Sequence, residues 1–339
     1  MTLLAEHTED QERERLERVA ALTDPATTRY IETMGIAPGW RCAEVGAGTG
    51  SIARWMSHRT GPTGKVVAVD IDTDQYRGPV ADNVEVRRQD IVATPLEERT
   101  YDLVHVKILL MHLPERDRVL RQLVAALKPG GHLLVEEADI RTIQTVSPPS
   151  PLLTRAASAL STFFHLGGAD PGYGLKLMPA VRRTGLVDIG TDCQLTAVQC
   201  GTPEIQTISR SLAKLAPIIL QAGLMGEKEV QATFELLEQP SDTMVYTPIT
   251  VSVWGRRPFD DENASGPDPA RRGALRDAIA GLSAEPGSEL DVALTALRTE
   301  IDRPDASTDA IGRHAALAFA AAGGGPHLGP LSRLVRALG

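Results

Sequence analysis

The sequence predicts an α/β fold in which short apolar strands end in turns that carry glycine or acidic residues. The most informative stretch is residues 44–50, Glu-Val-Gly-Ala-Gly-Thr-Gly, which directly follows the short, largely apolar run Trp40–Ala43. Glycines on alternate positions indicate a strand that ends in a tight turn and opens into a helix, where the backbone passes close to a ligand. A second strand, Lys65–Asp70, ends in an acid about twenty residues on, the spacing at which a carboxylate meets ribose hydroxyls.

The rest of the predicted core alternates strands with helices. The predicted strands lie at residues 84–90, 101–107, 127–136, 186–192 and 244–254. Helices are predicted at residues 152–165 and 177–184, with a long helical insert at 203–237. A charged helix is predicted at residues 6–21, and Asp24 followed by Pro25 indicates that a second helix restarts there, since Asp and Pro form a good cap and first turn.

Composition and charge agree with a soluble globular protein. The chain has 339 residues, 42% hydrophobic and 23% charged, which is enough for one large α/β domain and something smaller. A net charge of −9 argues against a nucleic-acid partner. No apolar run approaches the roughly twenty residues of a membrane span. The acidic N-terminus also lacks the basic segment followed by an apolar segment that is typical of a signal peptide. We therefore expect a cytoplasmic protein that contacts neither nucleic acid nor membrane.

The cysteines and histidines give no sign of a metal site. Cys42, Cys193 and Cys200 are few and odd in number, and they are expected to be reduced thiols. His and acidic residues are not grouped at ligand spacing, so no metal is expected. His105 lies inside a predicted strand and is expected to be a satisfied core or sheet-edge histidine.

The run from about Arg29 to Pro258 resembles the class I S-adenosylmethionine-dependent methyltransferases, of the broad group found in bacterial small-molecule and natural-product pathways. The segments that carry the likeness are the glycine loop, Asp70-Ile-Asp72, Gln89-Asp90, Leu110-Met-His-Leu-Pro114 and Leu127-Lys-Pro-Gly-Gly131. The resemblance implies a Rossmann-like sheet of seven strands in the order 3-2-1-4-5-7-6, with strand 7 antiparallel. It also implies S-adenosyl-L-methionine as cofactor and S-adenosyl-L-homocysteine as product.

A dinucleotide enzyme is the competing interpretation of the glycine loop, because Gly48, Gly50 and Ala53 also fit the looser dinucleotide fingerprint. An acidic Glu44 argues against it, since a dinucleotide strand stays apolar at that position. The Lys-Pro-Gly-Gly turn at residues 128–131 is likewise typical of methyltransferases.

The resemblance also implies the residues that contact the cofactor. Glu44 would hold the ammonium group, often through water, Asp70 would hold the ribose, and Asp90 would accept from the adenine amino group beside an apolar Ile91. The full candidate set is Tyr30, Glu44, Gly46, Ala47, Gly48, Gly50, Asp70, Ile71, Asp72, Gln89, Asp90, Ile91, Lys107 and His112. Three alternatives stay open: Asp70 as a turn residue, Asp90 as a helix N-cap, and Lys107 as a solvated side chain.

The candidate catalytic residues are His112, Glu137, His165 and Tyr173. His112 lies where cofactor meets acceptor in this family, and it is either a general base or a structural pin of its loop. Glu136 and Glu137 point to opposite faces of a strand, so at most one of them looks into the pocket. His165 and Tyr173 fall in the segment that usually roofs the acceptor site, where aromatic side chains pack or take part in catalysis.

The chain is expected to have four parts. They are an N-terminal helical cap at 1–28, a methyltransferase core at 29–258 with substrate-lid inserts at about 140–174 and 203–237, a linker at 259–269, and a helical extension at 270–339. Helices are expected at 270–282, 288–301 and 308–322 of the extension, with Leu290, Leu294, Leu297 and Ile301 on one apolar stripe. Because exposed stripes of this kind are rarely left in water, a homodimer is expected.

Three functions follow from this organisation. The first is methyl transfer to a small-molecule acceptor, of the secondary-metabolite type, by in-line displacement. The second is methylation of a peptide or protein that the C-terminal extension recognises. The third is a binding module that holds the cofactor without transferring its methyl group. Carbon, oxygen and nitrogen acceptors all remain open.

Overall fold

The structure is a computed structural model, which describes residues 9–260, 269–280, 282–303, 311, 314–315, 317–318 and 321–322. The chain divides into two compact units, residues 1–257 and residues 258–339. Among the described residues, no helix combines the length and apolar character that a membrane crossing requires.

The first unit alternates strands and helices along the chain. Seven strands form its main sheet: β1 Arg41–Val45, β2 Lys65–Asp70, β3 Val84–Arg88, β4 Tyr101–Lys107, β5 Leu127–Asp139, β7 Val187–Gln194 and β10 Ile249–Arg256. Three short strands form a second sheet: β6 Val146–Ser147, β8 Ala197–Gln199 and β9 Met244–Tyr246. The helices are α1 Glu9–Thr33, α2 Ser51–Thr60, α3 Arg116–Ala126, α4 Pro151–Leu166, α5 Leu177–Arg182, α6 Ile205–Gln221 and α7 Glu227–Glu238.

The main sheet has the order β3-β2-β1-β4-β5-β10-β7. β10 is antiparallel to both of its neighbours, whereas the other paired strands run parallel. This confirms the predicted order 3-2-1-4-5-7-6 with an antiparallel last strand. Apolar clusters cover both faces of the sheet, and the inner residues Val66–Val69 of β2 are buried, as expected for a strand with helices on both sides.

The predicted last strand at residues 244–254 is in fact two strands, and this prediction was wrong. β9 leaves the main sheet and pairs with β6 and β8, while β10 begins at Ile249. The change of sheet occurs at Thr247-Pro248, where proline has no N–H to donate to a ladder. The second sheet was not anticipated, because strands of two or three residues leave almost no periodic signal.

The N-terminal helix is also continuous where a restart was predicted. α1 runs through Pro25, and the Asp24 carboxylate accepts from Lys107 Nζ at 2.5 Å instead of capping a helix. The turn after Pro25 packs Ala26, Tyr30 and Ile31 into the core on one face of the sheet. This burial outweighs the cost of a proline inside a helix, about 3 kcal/mol.

The second unit contains α8, Pro269–Ala280, and α9, Glu289–Asp302. The predicted apolar stripe lies on α9, and Leu294, Leu297 and Ile301 are buried in a cluster with side chains of the same unit, including Leu275 and Ile311. The stripe therefore finds its partners within its own unit, so the homodimer loses its original argument and stays a prediction. The linker at residues 261–268 and most of the predicted helix at 308–322 lie outside the described residues.

Candidate active site

The glycine loop joins β1 to α2 at the carboxyl edge of the sheet. Gly46, Gly48 and Gly50 have φ values of 76°, 51° and 76°, in the left-handed region that favours glycine. The Gly46 N–H donates to the Val69 carbonyl at 2.8 Å, which ties the loop to the end of β2. A Cβ at Gly50 would collide with the ring of Tyr76, whereas a Cβ at Gly48 would meet open space. The backbone at Gly48 can therefore be approached by a ligand.

The Asp70 carboxylate holds this loop from the end of β2. Its Oδ2 accepts from the Gly48 N–H at 2.8 Å, and its Oδ1 accepts from the Asp72 N–H at 2.9 Å. Each carboxylate oxygen has a second lone pair, so Asp70 can accept hydroxyl groups as well. Asp72 has a different task, because its side chain accepts from the Asp74 N–H and begins a short 3₁₀ helix.

A cavity of about 680 Å³ extends from the glycine loop to α1, α4 and α6. This volume is within the range of small-molecule sites. Most of the candidate cofactor residues line it, namely Glu44, Gly46, Ala47, Gly48, Asp70, Ile71, Gln89, Asp90, Ile91, Lys107 and His112. Gly50 and Asp72 do not line the cavity themselves, but their chain neighbours Thr49, Ser51 and Ile71 do.

Tyr30 does not line the cavity. Its hydroxyl donates to Asp192 at 2.7 Å, and its ring stacks on Trp254 with the ring centroids 5.3 Å apart. The side chain is buried in the core beneath α1. This position does not support the predicted cofactor contact, because both the ring and the hydroxyl are occupied by protein groups.

Asp90 stands at the rim of the cavity after β3. Its Oδ1 accepts from the Val92 N–H at 2.8 Å, which makes a turn rather than the helix N-cap considered above. Ile91 beside it is buried, while Ile71, which follows the neighbouring parallel strand β2, is 68% exposed although its side chain is apolar. The two isoleucines and the two aspartates thus combine apolar walls with carboxylates at one end of the cavity.

Lys107, at the end of β4, is not solvated. Its Nζ pairs with Asp24 at 2.5 Å and donates to Thr23 Oγ1 at 3.0 Å, so it fastens α1 to the sheet. The next residue, Ile108, has a φ of 50°, which is a strained conformation for a β-branched residue. Strain of this kind is concentrated at functional sites, and Ile108 lines the cavity.

Behind the cavity, His105 bridges two buried glutamates. Its Nδ1 lies 2.7 Å from Glu44 Oε2, and its Nε2 lies 3.0 Å from Glu136 Oε2. Burial lowers the pKa of an imidazole, but the two carboxylates outweigh it and raise the pKa of His105 to about 9. The ring is therefore an imidazolium at neutral pH. The expectation of a satisfied core histidine is confirmed, and the two glutamates as its partners were not anticipated.

Glu136 is satisfied on every side. Besides His105, it accepts from Thr27 at 2.5 Å and from Ser252 at 2.8 Å. Burial raises the pKa of this carboxyl, yet the hydrogen bond and charge of His105 hold it below its usual range. Glu44, His105 and Glu136 consequently form a network that joins the cavity wall to α1 and β10.

Glu137, a candidate catalytic residue, is buried on the opposite face of β5 and is not among the cavity-lining residues. Its Oε1 accepts from the N–H groups of Leu109 at 3.1 Å and Leu110 at 2.6 Å, which fixes the loop that carries His112. Burial, only partly offset by these donors, raises the pKa of Glu137 to about 8. This position supports holding the loop rather than contacting the acceptor.

Two further catalytic candidates also lie away from the cavity. Tyr173 is buried against the apolar core, and among the described residues its hydroxyl and Glu137 Oε2 have no hydrogen-bond partner. Burial, with the charge of Glu137 second, raises the pKa of Tyr173 above its usual range. His165 is exposed in the last turn of α4. Neither position supports contact with an acceptor.

His112 is the catalytic candidate that lines the cavity. Its ring is open to the cavity and packs against Phe164, with ring centroids 5.7 Å apart. Partial desolvation, followed by the charges of Arg15 and Lys214, holds the pKa of His112 below its usual range. The imidazole is therefore neutral at neutral pH, as a proton acceptor must be.

α6 lies within the lid insert predicted at 203–237, whereas the contribution of α1 to the cavity was not anticipated. Arg15, Leu16 and Val19 of α1 and Ile208 and Leu212 of α6 face it. Ion pairs join the two helices, from Glu12 to Lys214 at 2.7 Å and from Glu14 to Arg210. The charged residues at 6–21 were visible in the sequence, but their charge alone does not predict which helix they form ion pairs with.

The residues at the loop end fit a nucleoside that carries an amino-acid group. Open backbone at Gly48, the carboxylates of Asp70 and Asp90, and the isoleucine walls match a ribose and an adenine. The Glu44 carboxylate in the same cavity matches an ammonium group. No group of three or more His, Cys, Asp or Glu able to hold a metal ion occurs in the part of the chain that the structure describes.

Comparisons with known proteins agree with this geometry. Residues 43–135 match the family described as methyltransferase domain. The ubiquinone/menaquinone biosynthesis C-methyltransferase UbiE of Ectopseudomonas mendocina is 31% identical over 147 residues, which are 41% of this chain and 55% of that protein. Methyltransferase str2 of Strobilurus tenacellus is 29% identical over 137 residues, 40% of this chain and 49% of that protein.

The chain thus spans about half the length of these relatives. Among solved structures, phosphoethanolamine N-methyltransferase 2 of Haemonchus contortus in complex with S-adenosyl-L-methionine superposes with a TM-score of 0.43 at 15% identity, covering 67% of this chain and 51% of that one. A SAM-dependent methyltransferase of Aquifex aeolicus has a TM-score of 0.37 at 14% identity, covering 68% and 88%. On the matched family and the curated relatives, residues 43–135 belong to the class I S-adenosylmethionine-dependent methyltransferases, whose cofactor is S-adenosyl-L-methionine.

Proposed function

We propose that this protein transfers a methyl group from S-adenosyl-L-methionine to a small, largely apolar acceptor bound in the same cavity. The observation that carries the proposal is the cavity itself, which is continuous from the glycine loop to the helices α1, α4 and α6. Two ligands can therefore meet in one enclosed space, which is what direct transfer between them requires.

Each end of the cavity has its own chemistry. At the loop end, Asp70 would hold the ribose hydroxyls, Asp90 the adenine amino group and Glu44 the ammonium group of the cofactor. At the other end, Leu16, Leu160, Phe164, Ile208 and Leu212 form apolar walls. An acceptor of mainly apolar surface would bury it there, at about 25 cal/mol per Å².

The bound cofactor supplies a methyl group that is already electrophilic, so the protein has mainly to align the acceptor and exclude water. The apolar walls exclude water, and the strained loop at Ile108, held by Glu137 through Leu109 and Leu110, fixes the place where both ligands meet. A hydroxyl acceptor would also have to lose its proton, and the neutral His112 ring is the group in the cavity suited to take it.

The test is turnover of methyl-labelled S-adenosyl-L-methionine by the full chain with a panel of apolar hydroxyl and activated-carbon acceptors. We expect label in at least one acceptor. With a hydroxyl acceptor, His112→Ala should lower turnover by about a hundredfold, while the affinity for S-adenosyl-L-homocysteine stays unchanged. An equal loss of cofactor affinity would assign His112 to positioning. Tight cofactor binding without transfer to any acceptor would contradict the proposal.

A further inference from the structure

The apolar end of the cavity contains two cationic side chains. Arg15 of α1 and Lys214 of α6 both line it, together with the apolar residues of α1, α4 and α6. Both charges also act on His112, where they add to the effect of burial on its pKa. The two cations and the imidazole therefore face the same region of the cavity.

One carboxylate serves both cations. Glu12 accepts from Arg15 Nη2 at 2.8 Å and Nε at 3.0 Å, and from Lys214 Nζ at 2.7 Å. One negative charge against two positive ones leaves this cluster with a net charge of +1. The side chains of Lys214 and Arg15 keep 39% and 20% of their surface exposed, so this excess positive charge is accessible to a further negative group.

Within residues 9–260, which the structure describes, the other acidic groups around the cavity do not supply this charge. Glu204 precedes α6, ten residues before Lys214, which is about 15 Å along a helix. Asp24 is paired with Lys107, and Glu44 with His105. The remaining carboxylates of the cavity wall, Asp70 and Asp90, lie at the ends of β2 and β3, on the cofactor side.

We infer that the acceptor is an apolar molecule with one negatively charged oxygen group, which Arg15 and Lys214 bind beside His112. This names the substrate class of the methyl transfer proposed above and rests on that proposal. The charged oxygen is a carboxylate or an ionised phenol or enol, since a cationic pair recognises both in the same way. Arg15 has N–H groups beyond the two given to Glu12, and Lys214 has two beyond its one, so both can donate to such an anion.

The inference is tested by binding, without turnover, to the full chain saturated with S-adenosyl-L-homocysteine. The first pair of probes is 2-naphthoate and 2-naphthamide, which share a shape and differ in charge. The second pair is an acidic nitronaphthol, ionised at neutral pH, and its methyl ether. We expect at least one anionic probe to bind about tenfold more tightly than its uncharged analogue. A ratio of this size corresponds to the contribution of a hydrogen bond between charged groups to the binding free energy. The pair that shows the preference identifies the kind of oxygen.

Variants separate charge recognition from packing of the two helices. Lys214→Gln should reduce the preference for the anion to less than about threefold, Lys214→Arg should retain it, and Glu12→Gln should increase it because a competing negative charge is removed. Arg210→Gln is the matched control, because Arg210 makes the same kind of ion pair between α6 and α1 but does not line the cavity.

Two results would overturn the inference. One is that the protein binds the anion and its uncharged analogue with equal affinity in both pairs of probes, or binds neither pair. The other is the same loss of preference in Arg210→Gln as in Lys214→Gln, which would show that only the helix contact matters. Binding of S-adenosyl-L-homocysteine is measured first by calorimetry, so a failure of the cofactor site, and with it of the proposed function, is distinguished from a failure of anion recognition.

Discussion

Replacing His105 by glutamine is expected to weaken the hold on the amino-acid end of the cofactor and to leave the nucleoside end unaffected. The register of the sheet places His105 directly opposite Glu44 on the neighbouring parallel strand. Its Nδ1 contacts the Glu44 carboxylate at 2.7 Å. In the proposed function this carboxylate holds the ammonium group of the cofactor, so its orientation depends on the ring behind it.

The size of the effect follows from the contacts that are lost. His105 makes two hydrogen bonds to carboxylates, and hydrogen bonds to charged groups contribute about 1.5–3 kcal/mol each. A pKa of about 9, against the usual 6.5, corresponds to a stabilisation on the order of 3 kcal/mol. Without the imidazolium, two buried glutamates face each other, and Glu44 no longer has a fixed position. We expect the affinity for S-adenosyl-L-homocysteine to fall by about tenfold or more.

The assay compares two ligands by calorimetry. S-adenosyl-L-homocysteine carries the ammonium group, whereas 5′-methylthioadenosine has the same nucleoside without the amino-acid part. His105→Gln should weaken the first and change the second by less than about twofold. Ser252→Ala is the matched control, because it removes a buried hydrogen bond of Glu136 without touching Glu44. An equal loss for both ligands would refute the reasoning, since it would mean that the variant damages the whole site.

The same variant has a signature in the stability of the fold. Because the folded-state pKa of His105 is raised, its stabilisation is fully present below pH 6.5 and is lost as the pH rises through about 9. The melting temperature of the natural protein should therefore fall over this window. His105→Gln should start lower and show a smaller fall. A fall of the same size in both proteins would show that His105 is not the group that titrates.

Three further predictions concern single features of the chain. Asp70→Ala should weaken binding of S-adenosyl-L-homocysteine by about 1–3 kcal/mol in calorimetry, NAD should not bind, and an unchanged affinity would assign the ribose to another residue. The raised pKa of Glu137 makes the folded protein retain a proton, so the stabilisation of the fold by this protonated carboxyl is fully present below pH 4.5 and is lost as the pH rises through about 8. Glu137→Gln should therefore reduce the fall in melting temperature over this pH range. An unchanged dependence of the melting temperature on pH would contradict this prediction. A chain truncated after Arg257 should still bind the cofactor product, and light scattering should find it monomeric if the extension forms the predicted homodimer; a truncated dimer would end that role.

The sequence predicted those parts of the fold whose signals are local. The bounds of β2 and β4 were predicted residue for residue, because an apolar run followed by an acid or a turn is visible in a short window. The order of the strands came from the resemblance and not from periodicity. The break at Thr247-Pro248 was missed, although proline carried a signal, since the β-branched runs on both sides read as one strand.

Side-chain pairing across the sheet and between helices could not be predicted. Glu44, His105 and Glu136 are far apart in the chain, and only the register of three strands brings them together. The resemblance implied Tyr30 as a cofactor contact, but in the structure it packs on Trp254 as a core residue. Tertiary packing decides such cases, and a single sequence does not encode it in any short window.

On the proposed function, the charges around the cavity suit the reaction itself. The loop end has the carboxylates Glu44, Asp70 and Asp90, which attract a positively charged cofactor, and the other end has the net positive cluster of Arg15 and Lys214. Transfer of a methyl cation to an anion removes one positive and one negative charge. A cavity with apolar walls favours this loss of charge, because the separated ions are less well solvated there than in water while the neutral product is not penalised. The two ends therefore bind ions that the reaction then neutralises, which also weakens the hold on the methylated product.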